Sequence, residues 1–539
     1  MNADLVYLDP GALIEPLINQ WYAWSYLLSP ASSAMLVANA HVKLMQSFVA
    51  SPQIHVSALQ NPAMRGGPFL DLPAERAPEV KALLDETLRS QAHVIELAEA
   101  IKALDRTLAE EAKGFSLEAL YRKVPEALKG YVELVYDLKD SASIRFFEGL
   151  LYRSRYHQRA TQSLCFSRME PDARRFALST PRLASPGDVI SQIPFDSPVL
   201  DDLYRMRHEA ASFEKIRRAL GVPAEQAELF RTFFTDSPAR ARARARTPYA
   251  GSLPRVRYFG HACVLIESPG VSILFDPVVS PDVEGKHDRF TQADLPETID
   301  YVVITHNHQD HILFEALLEL RHRVKHVVVP RANGSTALDP SLKLLFRALG
   351  FKSVIEVGDM DPLPVPGGHV MGLPFLGEHG DLDILSKRAY HVKLQKHSIL
   401  ILADSNNIEP RLYEHIHEHL GNVETVFIGM ECEGAPMSWL YGPLFTRPLV
   451  RKNDQSRRFA GSDCDKAMKI VEIFNPEQAY VYALGQEPWL RHVMNVVYTD
   501  ESRVIVECNR FCDLVRARGA SAERLFMKKE IQLQDPDCQ

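Results

Sequence analysis

The run His306-Asn307-His308-Gln309-Asp310-His311 places four potential metal ligands within six residues, directly after the apolar segment Tyr301-Val-Val-Ile-Thr. Two histidines separated by one residue point the same way from an extended chain. Asp310 and His311 fall where the chain turns into a helical segment, Ile312 to Arg321, so they can face a second ion beside the first. A lone histidine is most often structural; three with an aspartate in this order, at the end of a buried strand, read as a two-metal site. The surroundings set the fold class. Short β-branched runs, Val256-Arg-Tyr-Phe, Ala262-Cys-Val-Leu-Ile-Glu, Val271-Ser-Ile-Leu-Phe-Asp and Val327-Val-Val-Pro, alternate with helices, so the second half is α/β.

A chain of 539 residues exceeds what one hydrophobic core usually supports, and at least two domains are expected. Hydrophobic residues at 46% and charged residues at 24% exclude a disordered or fibrous chain. The formal net charge of −8 gives no support to nucleic-acid binding. No stretch reaches the roughly 20 apolar residues that span a bilayer, and no signal peptide opens the chain, so a soluble, cytoplasmic protein is expected. The seven cysteines, Cys165, Cys263, Cys432, Cys464, Cys508, Cys512 and Cys538, form no CxxC pair. Cys508 and Cys512 can share a helix face and read as buried small residues.

The first half reads as mainly helical. Val80, Leu83, Leu84, Leu88, Val94, Ile95, Ala98 and Ile101 recur at helical spacing between Pro78 and Lys113, which predicts one long helix, with a second from Ser116. Trp21, Tyr22, Trp24 and Tyr26 form an aromatic stripe that reads as core, with a subunit interface as the alternative. The stretch between Pro238 and Pro254 carries Arg240, Arg242, Arg244 and Arg246 in alternation with alanine and reads as a solvated linker. The expected division is 1–237, an N-terminal dimerisation or partner-binding domain; 238–253, the linker; and 254–539, the metal-binding domain.

The central motif resembles the signature of the metallo-β-lactamase superfamily. Gly260-His261-Ala-Cys-Val-Leu-Ile-Glu and Ile273-Leu-Phe-Asp276-Pro277 are similar to its first hairpin, with Asp276 where that superfamily has an aspartate backing a ligand, and Ile399-Leu-Ile-Leu-Ala-Asp404 is similar to the strand whose terminal aspartate binds metal. The resemblance implies an αββα sandwich. Two departures stand out. Where dizinc hydrolases have a third histidine this chain has Glu378-His379, either of which can bind, and no histidine follows the late strand Tyr480-Val-Tyr-Ala-Leu until His492.

With Glu378 as the ligand, the pattern resembles one branch of the superfamily, the diiron β-hydroxylases of nonribosomal peptide biosynthesis, typified by the amino-acid β-hydroxylase of the chloramphenicol pathway, whose members also carry a large N-terminal domain. That resemblance implies His306, His308 and Glu378 on one iron and Asp310, His311 and Asp404 on the other, in an oxo-bridged pair that uses O2. It implies a β-hydroxylation of an amino acid held as a thioester on a carrier domain, with Glu378 and Glu431 in the catalytic machinery and Glu431 beside the ligands. An external electron donor is expected, because no Gly-rich dinucleotide fingerprint follows any strand, and a homodimer is expected as well. The segment Gly434 to Phe445 is an apt wall for a substrate side chain, and Arg447, Arg451, Lys452, Arg457 and Arg458 are the first candidates for docking an acidic carrier. The competing reading is a dizinc hydrolase of a thioester, lactone or phosphodiester.

Overall fold

The computed structural model describes residues 4–168, 171–237, 249–283 and 287–533. From Arg255 onward the chain builds two seven-stranded sheets stacked face to face. The first sheet is ordered Val354–Val357, Val324–Pro330, Ile299–Val303, Val271–Phe275, Val264–Ser268, Arg255–Tyr258 and Lys529–Gln532. Its first four strands are mutually parallel and the remaining pairings antiparallel. The second sheet is ordered Pro362–Val365, Gly368–Leu373, Ala389–Leu394, His397–Ile401, Thr425–Gly429, Gln478–Tyr482 and Ser521–Arg524, again half antiparallel and half parallel.

The apolar runs are continuous because their strands are buried on both faces. Ile273, Phe275, Val303 and Val328 point between the sheets, where they meet Val392, Ile399, Ile401 and Phe427, while Leu274, Val302, Val327 and Val329 point the other way into the core under the outer helices. In the second sheet Leu400, Val426 and Ile428 face the helices Pro410–Leu420, Cys464–Phe474 and Arg503–Ala517. The expected αββα sandwich is therefore present. Cys508 and Cys512 both lie in that outer core; Cys538 lies outside the described residues.

The N-terminal part mixes helices with sheet. Leu13–Ile18 pairs with Trp21–Tyr22 and Gln162–Ser167, and the latter with Val189–Gln192; Leu5–Leu8 pairs with Ala211–Ser212 and Phe234–Thr235. The long helix expected from Pro78 to Lys113 is two helices, Ala77–Ser90 and Ala92–Glu111, separated at Gln91, whose backbone leaves the helical region at φ −109° and ψ 21°. The break lets each helix turn its own stripe inward; Leu88, on the expected common stripe, is 41% exposed. The second helix is replaced by 3₁₀ turns, Leu117–Lys123 and Glu126–Leu128, with Pro125 between them unable to continue a helix. Trp21, Tyr22, Trp24 and Tyr26 are all buried within the chain, so the aromatic stripe is core and no exposed subunit surface. The arginine run from Arg240 to Arg246 lies outside the described residues.

Among the described residues, no helix is long and apolar enough to cross a membrane.

Candidate metal centre

The candidate donors converge because they leave the same end of neighbouring strands. His306 to His311 follow Ile299–Val303, Asp276 follows Val271–Phe275, Glu378 lies beyond Gly368–Leu373, Asp404 follows His397–Ile401 and Glu431 follows Thr425–Gly429. Ligand sites in α/β sheets favour this carboxyl edge. Positive φ angles cluster at these exits, at His261 (49°), Asp276 (36°), Glu378 (66°), Ala403 (48°) and Ala483 (57°). For residues other than glycine such backbone is strained, and strain of this kind concentrates at functional sites. Gly377 is needed beside Glu378, since its φ is 76° and a Cβ there would sit 2.4 Å from the Asn406 Cβ.

The hydrogen-bond network fixes which imidazole nitrogens face inward. Asp276 accepts from the Thr305 backbone N–H (2.8 Å) and hydroxyl (2.6 Å), which leaves the hydroxyl oxygen to accept from His306 Nδ1 (3.0 Å). His311 Nδ1 donates to Asp276 Oδ2 (2.8 Å), and His308 Nε2 donates to the Tyr441 hydroxyl (3.0 Å). By this assignment the inward atoms, His306 Nε2, His308 Nδ1 and His311 Nε2, are lone pairs. His308 Nδ1 lies 3.2 Å from His306 Nε2 and 3.1 Å from Glu378 Oε1; His311 Nε2 lies 3.0 Å from Asp404 Oδ2. Glu378 Oε2 and Asp404 Oδ1 are buried without a hydrogen-bond partner. Acceptors packed against acceptors call for a cation, and imidazole with carboxylate is a donor set suited to iron.

Among the described residues three close groups of histidine and carboxylate result: His306, His308 and Glu378; His306, His311 and Asp404; and His261, Asp310 and His311. Glu378 is therefore inside the first group, whereas His379 stacks on His308 at 4.6 Å between ring centroids and belongs to none. Asp404 Oδ2 also lies 3.7 Å from His306 Nε2, between the two ends of the site. Asp310 Oδ2 is 3.8 Å from His311 Nε2 and 3.2 Å from His261 Nε2. Sequence reasoning gave His261 no role in the site, and the structure makes it a partner of Asp310. The Gly485 N–H donates to His261 Nδ1, so Nε2 carries the proton and turns it toward Asp310 Oδ2; the signal was the Gly260-His261 step, where Gly260 adopts φ 103° against the Trp489 ring. His492 lies elsewhere, its Nδ1 on the Trp489 carbonyl and its Nε2 3.4 Å from the Tyr22 hydroxyl.

Proton affinities show the same preference for positive charge. Burial opposes protonation of His311, yet Asp404, Asp276 and Asp310 hold it well above the ordinary imidazole value. His308 is likewise raised, against burial, by Glu378. Burial pushes Glu378 up to about 7. Glu431 is pushed well above the carboxylate range, first by burial and then by Asp404, Glu378 and Asp310.

A cavity of about 430 Å³ exposes His308, Asp310, Glu378, Asp404 and Glu431, so Glu431 does lie beside the donors. Ala435, Trp439 and Leu440 from the expected wall segment line it, joined by Phe459, Met494 and Val496. Pro62 and Arg65 complete it from the N-terminal part.

Comparison with known proteins adds the family. A model described as the diiron non-heme β-hydroxylase N-terminal domain matches residues 7–238, and a β-lactamase superfamily domain matches 255–361. The chain is 40% identical over 525 residues, 96% of its length and 98% of the relative's, to the 4-amino-L-phenylalanyl-[CmlP-peptidyl-carrier-protein] 3-hydroxylase of Streptomyces venezuelae. It belongs to the diiron non-heme β-hydroxylase family. The crystal structure of CmlA, a diiron β-hydroxylase from Streptomyces venezuelae, superposes with a TM-score of 0.92 at 38% identity, covering 98% of this chain and 99% of that one. A mutant of the same β-hydroxylase superposes with a TM-score of 0.90. Family membership thus accounts for both halves of the chain: a model for the N-terminal domain of these hydroxylases matches the first half, and the sandwich carries the groups that could hold metal.

Proposed function

We propose that this protein hydroxylates the β-carbon of an amino acid presented as a thioester on the carrier domain of a nonribosomal peptide synthetase. The observation that carries the reading is the cluster of inward lone pairs and carboxylates at the floor of a cavity walled on one side by apolar side chains. His306, His308 and Glu378 hold one iron in this reading, and Asp310, His311 and Asp404 the other, with Asp276 orienting His311. Two iron ions bound there supply the activation of O2, driven by electrons from a separate donor.

The protein's own residues then have distinct tasks. Trp439, Leu440, Phe459 and Met494 exclude water and hold the substrate side chain against the donors. Glu431, kept protonated by its surroundings, holds a proton at its carboxyl within the same cavity. Of the basic residues proposed to meet an acidic carrier, Arg457 and Arg458 are committed to the Gly380 and Gly434 carbonyls and Arg447 to Asp105, while Arg451 and Lys452 are exposed on the short helix Arg451–Ser456. Arg451 and Lys452 are the better docking pair. The same reading includes a homodimer, which sedimentation of the purified protein checks.

The test is metal analysis with ultraviolet-visible spectroscopy, followed by turnover of aminoacyl-carrier substrates. About two irons per chain, an absorption that bleaches on reduction, and a product heavier by one oxygen atom are expected. Two zinc ions in a colourless protein that hydrolyses the thioester would overturn the proposal.

A further inference from the structure

Two further cavities continue from the metal-site cavity. The first, about 710 Å³, shares Trp439 and Leu440 with it as a dividing wall; the second, about 420 Å³, shares Asn39, Lys43, Ser438 and Pro443 with the first. Adjoining one another in this order, with Trp439 and Leu440 between the first two, the three cavities mark a course outward from the donors between the two halves of the chain, here called the trough. Each cavity by itself lies in the range of sites that enclose small organic molecules. The lining alternates apolar groups, Trp24, Leu44 and Phe176, with hydrogen-bonding ones, Asn39, Ser47 and Gln455.

The N-terminal wall is built around a π-helical turn, Val37–His41, inserted between the helices Pro30–Leu36 and Val42–Ala50. Such turns are rare and concentrate at functional sites. Asn39, Ala40 and His41 of this turn line the trough, with the His41 ring stacked on Trp21 behind the surface. Asn39 is a clamp: its amide donates to the Pro443 carbonyl (2.8 Å) and its carbonyl accepts from Lys102 (3.2 Å).

The far end is basic. Lys102 is paired with Glu99, Arg447 with Asp105, and Asp454 accepts from the Ser438 backbone and hydroxyl. Lys43, exposed one turn beyond the π segment, makes no ion pair among the described residues and lines both outer cavities. An ammonium left open at the end of a lined trough suits a phosphate group.

We propose that the trough is the path of the carrier domain's phosphopantetheine arm, with the thioester end at the metal site and the phosphodiester on Lys43. This rests on the carrier-substrate reading above. The arm's amides and methylenes match a lining of mixed character, and its single phosphate matches Lys43, among the described residues the one lysine or arginine lining the two outer cavities that makes no ion pair.

The experiment titrates the full-length protein with two probes, 4′-phosphopantetheine and pantetheine, by calorimetry or ligand-observed NMR. Wild type is expected to bind the phosphorylated probe roughly three- to tenfold more tightly. Lys43→Glu, at an exposed position and checked by its unchanged melting curve, abolishes that preference without weakening pantetheine, and Lys43→Arg retains it. Equal affinities in wild type, a preference that persists in Lys43→Glu, or no saturable binding of either probe overturns the assignment. Hydroxylation assayed in the same preparations separates the two claims. A wild type that hydroxylates a carrier-bound amino acid but shows no phosphate preference refutes the trough alone; one that acts equally on the free amino acid and binds neither probe refutes both.

Discussion

The two halves of the chain contribute to one cavity by different means. Among the described residues every candidate donor, from His306 to Asp404, comes from the sandwich and lies at or beyond the carboxyl end of a strand. The described residues of the N-terminal half supply none, yet that half closes the cavity with Pro62 and Arg65 and sets a buried ion network against the helix that follows the metal motif. In that network Arg174 donates to Glu15 (2.9 Å) and to both oxygens of Glu315 (3.1 and 2.8 Å), the latter on the helix Phe314–Leu320, and Tyr22 donates to Glu315 as well. The difference teaches that chemistry and containment are separable: local segments can carry the first, whereas the second exists only after the halves dock.

The strongest way to break that division is at a donor. His308→Ala removes an inward lone pair from the group shared with His306 and Glu378. Iron should fall from about two per chain to one or fewer and activity by at least about 100-fold, with the melting temperature little changed. Full iron occupancy in the variant would show that the first group holds no metal.

Arg174→Ala tests the opposite side. It leaves Glu15 and Glu315 buried without their shared partner, and stability measured by denaturant unfolding should drop by about 3–5 kcal/mol. Iron bound by the molecules that remain folded should be unaltered. A stable variant that has lost iron would instead make the network part of the metal centre.

These two substitutions also mark what was legible in the sequence. His306 to His311 were readable from their spacing at the end of a short apolar strand, where alternation places side chains without knowledge of the partners, whereas Asp276 and Asp404 followed from the resemblance of their strands to those of the superfamily. Glu378 and His379 are adjacent on a loop, and only the left-handed backbone at Glu378 separates the residue that joins the group from the one that stacks beside it. His261 was missed because its ring is turned by the Gly485 backbone, 224 residues away. In the N-terminal half most of the helical stripe does face inward, but it wrongly included the exposed Leu88 and was blind to the break at Gln91, and the sheet strands there were hidden because their pairing is long-range, as between Leu13–Ile18 and Gln162–Ser167.

Tyr441→Phe sharpens the comparison at the boundary. The hydroxyl that holds His308 Nε2 is lost while the ring and its packing against Phe459 stay. Loss of such a partner typically costs 10–100-fold in metal affinity or activity, so iron should titrate more weakly and its absorption spectrum shift.

Glu148→Gln probes the contact between the halves through pH. Glu148 accepts from the Ser341 N–H (2.9 Å), and burial raises its carboxyl to about 8 from an ordinary 4.5. The folded state keeps a proton that the unfolded chain releases, so this group's contribution is full below about pH 4.5 and is lost as pH rises toward 8. The neutral glutamine has no such loss. Relative to wild type the variant should gain about 3–4 kcal/mol between pH 5 and pH 8, read from melting temperatures across that window.

The smallest expected effect is the most discriminating. Tyr26 lies against Tyr441, with ring centroids 5.8 Å apart, and its hydroxyl donates to the Leu338 carbonyl (2.9 Å), so it joins the N-terminal half to the residue behind His308. Tyr26→Phe removes one hydrogen bond and should cost about 1 kcal/mol of stability. If containment and chemistry are separable, iron affinity stays at the wild-type value while Tyr441→Phe lowers it. Equal loss of iron affinity in both variants would mean that the N-terminal half positions His308 through the tyrosine pair, and the metal centre would then begin at residue 26 rather than at the strand ends.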